Sequence, residues 1–420
     1  MNEEIKERLE QIRRGELPNG YRRTKAGIMP LDWCAKREYT AKELFRSVAK
    51  RGGGEELDVL SATQDNGVIP RNLLDIDIKY DKENLSNYKR VEKGDFVISL
   101  RSFQGGIEYS LYDGLISPAY TVMKPIHPIS AGYYKAYFKT DDFISRLNRG
   151  IYGIRDGKQV SFTDFGDFYI HCPPLAEQQR IADILSAQDT VIELKERLVA
   201  EKLRQKKYLM QRLLTGKQRL PGFFGEWKTI QIGDDEYTRI DPEYLSTNTS
   251  ADYKFTYITL ESVDNGRLVN TLQCEYSTAP SRARKIIRYM DVLFGMVRPN
   301  LHSHLFVDNN DGDICSTGFC VIRCNQKELN PRFLYYHLFS DNTDKQVDSF
   351  MVGSNYPAVS ADNVKHLKIG IPADISEQRA IADILSAADR EIELLRASLE
   401  QEKRKKKALS QLLLTGIVRV

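Results

Sequence analysis

The sequence has no long apolar run. No stretch within its 420 residues approaches the roughly 18 apolar residues that are needed to cross a membrane. The first residues, MNEEIKERLEQIRRGEL, are densely charged and lack the apolar segment of a secretory signal. We therefore expect a cytoplasmic protein without membrane-spanning helices.

Cysteine is scarce, and its spacing argues against a metal. The six cysteines include no C-x-x-C pair and match no zinc pattern, and in a reducing compartment they are expected to be free. The segment Cys320-Val-Ile-Arg-Cys324 alternates as a strand does. We expect Cys315, Cys320 and Cys324 to pack in strands, and we predict no metal site.

A strong net charge is also absent. The chain carries 61 basic and 58 acidic residues, for a net charge of +3, so any nucleic-acid surface must arise from local clustering of cations. With 41% apolar and 28% charged residues, the composition is that of a globular protein of two or three domains.

No catalytic constellation is visible. The sequence contains no P-loop, no Ser-His-Asp order and no His-x-x-x-His pair. Gly52-Gly53-Gly54 is followed by Glu55-Glu56, which would repel a phosphate. Asn330-Pro331-Arg332-Phe333 resembles the Asn-Pro-Pro-Phe/Tyr loop of amino-methyltransferases. Its third residue is Arg, however, and its counterpart in the first half is Ser130-Ala131, which favours a helix N-cap. We predict no catalytic residue.

The sequence does contain a long repeat. Residues Glu177–Gly216 align with Glu377–Gly416 at a constant offset of 200, and 22 of the 40 aligned positions are identical. Each copy lacks Pro and Gly until its closing Leu-Leu-Thr-Gly, where glycine ends a helix. This repeat indicates an internal duplication, and each copy is long enough to form a helix of about 60 Å.

Apolar residues recur every seven positions in both copies. This spacing, with charged flanks, is typical of a helix that pairs with another helix along a seam. The obvious partner of each copy is the other copy. The predicted seam positions are Leu185, Ile192, Val199, Leu385, Ile392 and Leu399.

Two basic runs, Lys202–Lys207 and Lys403–Lys407, lie in the C-terminal halves of the repeated helices. Cations near a helix C-terminus complement the helix dipole and keep the exposed face solvated. We favour this interpretation over direct contact with phosphates.

Each repeat copy is preceded by a module, and the two modules share a framework. Gly94–Ile98 corresponds to Met290–Phe294, and Trp33 corresponds to Trp227. The loops differ, which suggests two recognition modules that share one architecture and recognise different targets. Expected elements of the first module are an N-terminal helix over Asn2–Arg14, strands over Leu57–Leu60 and Phe96–Leu100, and a helix over Ala131–Leu147.

Basic, amide and aromatic side chains cluster in the module loops. Arg, Gln and Asn can make bidentate contacts with guanine or adenine edges, whereas Lys and Ser mainly hold phosphates. A solvated surface with ordinary salt bridges is the alternative for any single residue, but two matched groups favour DNA. The candidate DNA-contacting residues are Arg22, Arg23, Arg101, Ser102, Gln104, Tyr152, Arg155, Lys158 and Gln159 in the first module, and Arg282, Arg284, Lys285, Arg298, Asn300, His302, Asn355 and Tyr356 in the second.

The motifs PPLAEQQRIADILS and LLTGKQRLPGF resemble those of the specificity subunit of type I restriction-modification enzymes, and the resemblance covers essentially the whole chain. It implies an α+β fold in which two similar target recognition domains are separated by two long antiparallel helices. These helices form a coiled coil, with internal pseudo-twofold symmetry. The implied domains are an N-terminal helix (1–19), recognition domain 1 (20–172), a central long helix (173–216), recognition domain 2 (217–371) and a C-terminal long helix (372–420).

The same resemblance implies a function. Each recognition domain would enter the major groove of one half-site of double-stranded DNA, and the helix pair would set an unread gap between the half-sites. Two modification subunits would dock along the helix pair. We assign the six seam residues to this docking as well as to the pairing of the helices. A motor-nuclease subunit can join such complexes. The chain itself would hold no cofactor, because S-adenosylmethionine belongs to the modification subunit.

Two other functions remain open. A self-sufficient DNA adenine methyltransferase would bind S-adenosylmethionine without a partner, and the missing cofactor loop argues against it. A coiled-coil interaction scaffold without a DNA function would fail to bind DNA even in the presence of partner subunits.

Overall fold

The computed structural model describes residues 3–34, 38–52, 57–74, 82–100, 102–150, 160–351 and 357–420. The chain divides into a first unit, Met1–Glu196 with Ser398–Val420, and a second unit, Arg197–Ala397. These units cut across the linear series of domains inferred from the sequence, because each combines one module with half of each long helix.

The first module consists of short strands and short helices. In chain order it contains α1 (Glu3–Arg13), β1 (Tyr21–Thr24), β2 (Gly27–Pro30), β3 (Tyr39–Thr40), α2 (Ala41–Leu44), β4 (Phe45–Val48), β5 (Leu60–Thr63), β6 (Gly67–Pro70), β7 (Lys89–Val91), β8 (Phe96–Ile98), α3 (Ser102–Gly105), β9 (Glu108–Tyr109), β10 (Gly114–Ile116), β11 (Thr121–Pro125), α4 (Ala131–Tyr137), α5 (Asp141–Gly150), α6 (Phe162–Gly166) and β12 (Tyr169–Ile170). The first long helix, α7, follows at Leu175–Leu213.

The second module has a similar composition. It contains β13 (Trp227–Gln231), β14 (Thr238–Ile240), β15 (Lys254–Ile258), β16 (Val263–Asp264), β17 (Arg267–Leu268), β18 (Leu272–Glu275), β19 (Ala283–Ile286), β20 (Val292–Gly295), β21 (Leu305–Phe306), β22 (Ile314–Ser316), β23 (Phe319–Cys324), α8 (Pro331–His337), α9 (Asp341–Phe350), α10 (Ala361–Lys365) and β24 (Lys368–Pro372). The second long helix, α11, follows at Ile375–Leu414.

One four-stranded antiparallel sheet is common to both modules. Its strand order is β4-β11-β8-β9 in the first module and β14-β23-β20-β21 in the second. Strands β8 and β20 occupy the same place in this order, which confirms the correspondence between Gly94–Ile98 and Met290–Phe294. The second module adds another four-stranded sheet, β18-β15-β22-β19.

The predicted helix over Ala131–Leu147 is wrong as a single element, because the chain breaks it into α4 and α5. The hydroxyl of Thr140 donates to the carbonyl of Tyr137 (2.8 Å) and accepts from the N–H of Phe143 (3.2 Å). One side chain thus closes α4 and caps α5. The predicted strand over Leu57–Leu60 is also wrong in its position, because β5 begins only at Leu60.

Both long helices form as the repeat predicts, with 39 residues in α7 and 40 in α11. They end at equivalent glycines, Gly216 and Gly416, which have φ of 67° and 72°. The N–H groups two residues later, in Gln218 and Val418, donate back to the carbonyls of Arg212 and Leu412. This left-handed glycine termination satisfies the last carbonyls of each helix.

The helix halves within each unit run antiparallel along an apolar seam. Of the six predicted seam residues, four are buried and two, Ile192 and Val199, are half-buried. In each unit, residues of both helices join the core of the module. The seam residues in these two cores are Leu185 in the first unit and Leu385 in the second.

The two basic runs supply cross-helix ion pairs, which the sequence analysis did not anticipate. In the first unit Lys406 pairs with Asp189 (2.5 Å), and in the second unit Lys206 pairs with Asp389 (2.6 Å). These four residues are equivalent at the offset of 200. Opposite charges at matching positions therefore favour the antiparallel register inside each unit.

Two further expectations concern cysteines and membranes. Cys315 lies in β22, while Cys320 and Cys324 lie in β23; all three are buried, which confirms strand packing. Burial raises the pKa of each of these thiols. Within the described ranges, no group of three or more His, Cys, Asp or Glu side chains could hold a metal ion, and no helix has the length and apolarity to cross a bilayer.

Leucines of α11 provide a matched test of the packing. Leu385 is fully buried, whereas Leu394 is 72% exposed. We expect Leu385→Ala to reduce the free energy of unfolding by about 2–5 kcal/mol, because it leaves a cavity in the core of the second unit. The control Leu394→Ala should change it by less than about 0.5 kcal/mol. Calorimetric unfolding of the full chain measures both, and equal losses would contradict the assigned packing.

Candidate nucleic-acid interface and helix junctions

An ion pair between a half-buried arginine and a buried glutamate joins the segment after α7 to the start of α11 in the second unit. Arg219 donates from Nε and Nη2 to the two carboxylate oxygens of Glu377, at 2.7 and 2.8 Å. Glu377 is fully buried and therefore requires a cationic partner. The guanidinium also lies 5.9 Å from the ring centroid of Trp227, within cation–π range.

The first unit contains the equivalent junction. Arg419 donates to the carboxylate of Glu177 at 2.6 and 2.8 Å and lies 5.9 Å from the ring centroid of Trp33. The indole Nε1–H of Trp33 donates to the same carboxylate at 2.9 Å. Arg419 also hydrogen-bonds to Asp32 and thereby lowers the pKa of that carboxyl.

A buried glutamine beside each of these glutamates holds the adjacent module. The Oε1 atom of Gln178 accepts from the N–H of Ser130 (2.9 Å), and that of Gln378 accepts from the N–H of Asn330 (2.8 Å). The amide nitrogen of each glutamine donates to the carbonyl of a preceding proline, at 2.8 and 3.0 Å. The Glu-Gln pair at the start of each long helix thus connects that helix to the adjacent module and to the segment after the other long helix.

The Asn330 segment is a helix N-cap, as the structural interpretation of its sequence predicts. The side-chain oxygen of Asn330 accepts from the N–H of Phe333 at 2.9 Å, and Pro331 is the first residue of α8. Ser130 caps α4 in the same way. Because the side-chain oxygen is already engaged, this segment does not offer the open amide of a methyltransferase loop.

The sequence analysis did not single out the glutamates, glutamines and arginines of these junctions. Their signal was present, since Glu177 and Glu377, like Arg219 and Arg419, are identical at the offset of 200. Identity alone does not reveal that the arginine after one helix reaches the glutamate at the start of the other.

The structure separates the candidate DNA contacts of the second module into different environments. Arg282, Arg298 and Asn300 are exposed. His302 is half-buried, and its Nε2 atom lies 2.9 Å from Oδ1 of Asp344. The role of the exposed residues as DNA contacts stays a prediction, and His302 contacts Asp344 of the same module.

Lys285 and Arg284 belong to internal contacts. The ammonium of Lys285 is buried and donates to Asp241 (2.7 Å) and to the carbonyl of Phe319 (2.5 Å). Arg284 is half-buried and donates to the hydroxyl of Tyr276 (3.3 Å). Burial removes Lys285 from the set of candidate DNA contacts, because it stabilises the sheet.

In the first module, Gln104 and Arg23 are exposed and Arg22 is half-buried on β1. Ser102 is fully buried, and its hydroxyl accepts from the N–H of Ser99 at 2.8 Å. We therefore withdraw Ser102 as a DNA contact. The remaining candidates, Arg101, Tyr152, Arg155, Lys158, Gln159, Asn355 and Tyr356, lie outside the described residues.

The half-buried Lys139 holds the loop that contains Gln104 in the first module. The ammonium of Lys139 donates to the carbonyls of Gln64 (3.1 Å) and Gly105 (2.8 Å) and to Oε1 of Glu108 (2.5 Å). The Glu108 carboxyl is buried, and burial raises its pKa to about 7 despite the opposing effect of Lys139. This carboxyl therefore titrates near neutral pH.

The second unit also contains a groove of about 1600 Å³, lined by the module and by its halves of the long helices. Among its charged side chains, Lys206 pairs with Asp389 at 2.6 Å, and Arg267 pairs with Glu393 at 3.1 Å. Of the candidate DNA contacts, His302 lines this groove.

Comparison with known families and proteins gives consistent results. A family model described as "Type I restriction modification DNA specificity domain" matches residues 39–202 and 226–403. The chain is 32% identical over 189 residues to the HindI specificity subunit of Haemophilus influenzae, covering 42% of this chain and 39% of that protein. It is 24% identical over 274 residues to the MjaVIII specificity subunit of Methanocaldococcus jannaschii, covering 61% and 63%. Both alignments span less than two thirds of the relative.

A third relative aligns over nearly its full length. The chain is 23% identical over 435 aligned positions to the MjaX specificity subunit of Methanocaldococcus jannaschii, named as a putative type I restriction enzyme subunit, and covers 97% of it. Among solved structures, a chain of a type I R-M system aligns with a TM-score of 0.57 at 17% identity, covering 96% of this chain and 100% of that one. The S subunit from M. genitalium aligns with a TM-score of 0.53 at 14% identity, covering 90% and 95%. These structures show the same fold.

The buried Glu108 predicts a pH dependence of stability. The pKa of Glu108 in the folded chain, about 7, lies above the ordinary 4.5. Its contribution to the free energy of unfolding is therefore fully present below pH 4.5 and is lost as the pH rises through 7. We expect the parent chain to lose on the order of 2–3 kcal/mol relative to Glu108→Gln between pH 5 and pH 8. Thermal unfolding across this range measures the difference, and parallel profiles would contradict it.

Proposed function

The chain belongs to the type I restriction-modification DNA specificity family, and on that basis we propose that it selects the DNA sequence on which such a system acts. One observation carries the proposal: two modules with one strand order and different loops are joined to the long helices by equivalent contacts. A shared scaffold with different loops suits the recognition of two different sequences.

We further propose that the target is bipartite, with one module for each half-site. Helices of 39 and 40 residues extend about 60 Å, on the order of one to two turns of DNA. Between two base-reading modules, such helices would leave a stretch of DNA unread. The length of the helix pair would then set the gap between the half-sites.

The proposed partners are two modification subunits, and their docking positions need revision. Leu185, Leu385, Ile392 and Leu399 of the predicted docking set are buried in the seam, so they stabilise the helix pair and do not face a partner. Exposed apolar side chains occur elsewhere on the helices. They include Val191, Leu194 and Leu198 on α7 and Leu394 on α11, with exposures of 38%, 58%, 42% and 72%.

Two of these exposed leucines are equivalent in the repeat. Leu194 and Leu394 align at the offset of 200, and both are among the most exposed large apolar side chains of the long helices. Solvent-facing leucines at equivalent positions suit the binding of two identical partners. We propose that one modification subunit docks at each.

The methyl donor and the location follow from the same proposal. S-adenosylmethionine would be bound by the modification subunits, and a motor-nuclease subunit can complete a restricting complex. The chain would work in the cytoplasm, where the DNA is. A self-sufficient adenine methyltransferase is not favoured, because the relatives are named specificity subunits and the Asn330 segment is a helix cap.

The length of the helices can be tested directly. Inserting seven residues into α7 and seven into α11, with the apolar spacing kept, adds about 10 Å to each helix, or about three base pairs. We expect the unread gap to widen accordingly while both half-sites stay the same. Adenine-methylation sequencing in cells that carry the modification subunit reads out the target. A seven-residue insertion at the exposed Pro221-Gly222 turn is the control. An unchanged gap after the helix insertions would contradict the proposal that the length of the helix pair sets the gap.

The docking proposal predicts a change in stoichiometry. We expect Leu194→Asp to reduce the bound modification subunits from two to one, and the double variant with Leu394→Asp to weaken binding at least about tenfold. Mass measurement of the purified complex gives the stoichiometry. The control is Leu111→Asp, at a leucine of the first module that is 50% exposed. Retention of two subunits by the double variant would place the docking site elsewhere.

A further inference from the structure

Between β20 and β21 the second module forms a short loop with an unusual backbone. A 3-10 turn over Pro299–Leu301 is flanked by Arg298 and His302, both with φ of 50°. Residues other than glycine rarely adopt this left-handed backbone conformation. Where they do, the surrounding structure must impose it. Two such residues within five positions indicate a loop whose shape is held from outside.

The start of the loop is fixed by the segment that precedes α10. The N–H of Arg298 donates to the carbonyl of Pro357 at 2.8 Å. Val297 forms a β-bridge with Ala358, and the N–H of Val359 donates to the carbonyl of Met296 at 2.9 Å. These contacts continue the pairing of the backbone beyond β20 up to the turn.

The end of the loop is fixed by two histidines. His302 contacts Asp344 of α9 at 2.9 Å. His304 is buried, stacks on Phe294 with 4.4 Å between ring centroids, and accepts from the N–H of Gly295 at 3.2 Å. Burial lowers the pKa of His304 to about 3, so the ring is neutral at physiological pH and can accept this hydrogen bond through Nδ1.

The close approach of the two ends of the loop requires glycine at position 295. A Cβ atom there would lie 2.7 Å from the carbonyl oxygen of Ser303, closer than real Cβ contacts allow. The two strands flanking the loop therefore approach each other closely at its base. The turn is consequently a rigid projection from the common four-stranded sheet.

The tip of this projection exposes three chemically different side chains to solvent. Arg298 and Asn300 are exposed, and Leu301 is 60% exposed, whereas Pro299 is buried. Arginine can contact guanine in a bidentate manner, asparagine can contact adenine in the same manner, and an apolar side chain can contact the methyl group of thymine.

We propose that Arg298 and Asn300 are base-reading residues of the second module and that the His302–Asp344 pair positions them. This inference rests on the proposed function, since it names the side chains that determine one half-site. The loop tip is rigid, so its side chains reach the groove without the loop first being ordered.

His302 is a positioning residue in this scheme. Its contact with Asp344 ties the C-terminal end of the turn to α9. Loss of the contact would let Asn300 move relative to the sheet, and geometric readout of a base tolerates little movement. The expected result is weaker discrimination and not the reading of another base.

The experiment uses the full chain expressed with its modification subunit in cells without other adenine methylation. Methylome sequencing compares sites that match the parent motif with sites that carry one mismatch. We expect Arg298→Ala and Asn300→Ala each to reduce discrimination about tenfold or more at one base position, with both positions in the same half-site. The other half-site is the internal control, and Asn309→Ala, at an exposed asparagine of the same module, is the matched control variant.

The positioning role has its own readout. Asp344→Ala should reduce discrimination at the position read by Asn300, whereas Asp344→Asn retains a hydrogen-bonding partner for His302 and should restore it. If Asp344→Ala lowers only the Tm and leaves discrimination unchanged, the positioning role is overturned.

The remaining outcomes distinguish this inference from the proposed function. A parent chain that yields no bipartite methylation motif contradicts the proposed function itself. A bipartite parent motif that is unchanged in both Arg298→Ala and Asn300→Ala overturns only the base-reading assignment. Changes spread over both half-sites also overturn it, because the loop belongs to one module.

Discussion

The burial of one carboxylate at the start of each long helix is the constraint on which the rest of the structure depends. Glu377 is completely enclosed and Glu177 is 6% exposed, and a buried charge without a partner costs about 3–5 kcal/mol. In each unit the arginine beyond the end of the other helix supplies that partner. This contact brings the end of one helix to the start of the other, as an antiparallel arrangement of the helix halves requires, and it places each arginine beside Trp33 or Trp227.

Much of the fold could be predicted from periodicity and repetition. The long helices, their terminal glycines and the shared position of β8 and β20 all leave a regular pattern in the sequence. The break at Thr140 does not, because it depends on one hydroxyl that serves two helices. The cross-helix role of Lys206 and Lys406 was missed for a related reason: a lysine in a basic run has the same sequence signature whether or not an aspartate faces it.

The candidate interface was less predictable than the fold. Arg298 and Lys285 are similar by residue type, yet one is exposed at a rigid turn and the other is buried beside Asp241. Ser102 lay within a plausible polar loop but caps its own turn. Residue type indicates what a side chain could contact, whereas solvent exposure and competing internal partners decide whether it is available to do so.

The way each module is attached has an evolutionary consequence. The groups that a module contributes to its junction include a tryptophan beside the arginine, the N–H of the helix-capping residue Ser130 or Asn330 and, in the first module, Asp32. The glutamate, the glutamine and the arginine of each junction are identical at the offset of 200. Genetic recombination at these boundaries would therefore replace a whole module while preserving the ion pair between the arginine and the buried glutamate. New specificity could then arise in a single step, provided that the incoming module packs on the same helix residues, such as Leu185 or Leu385.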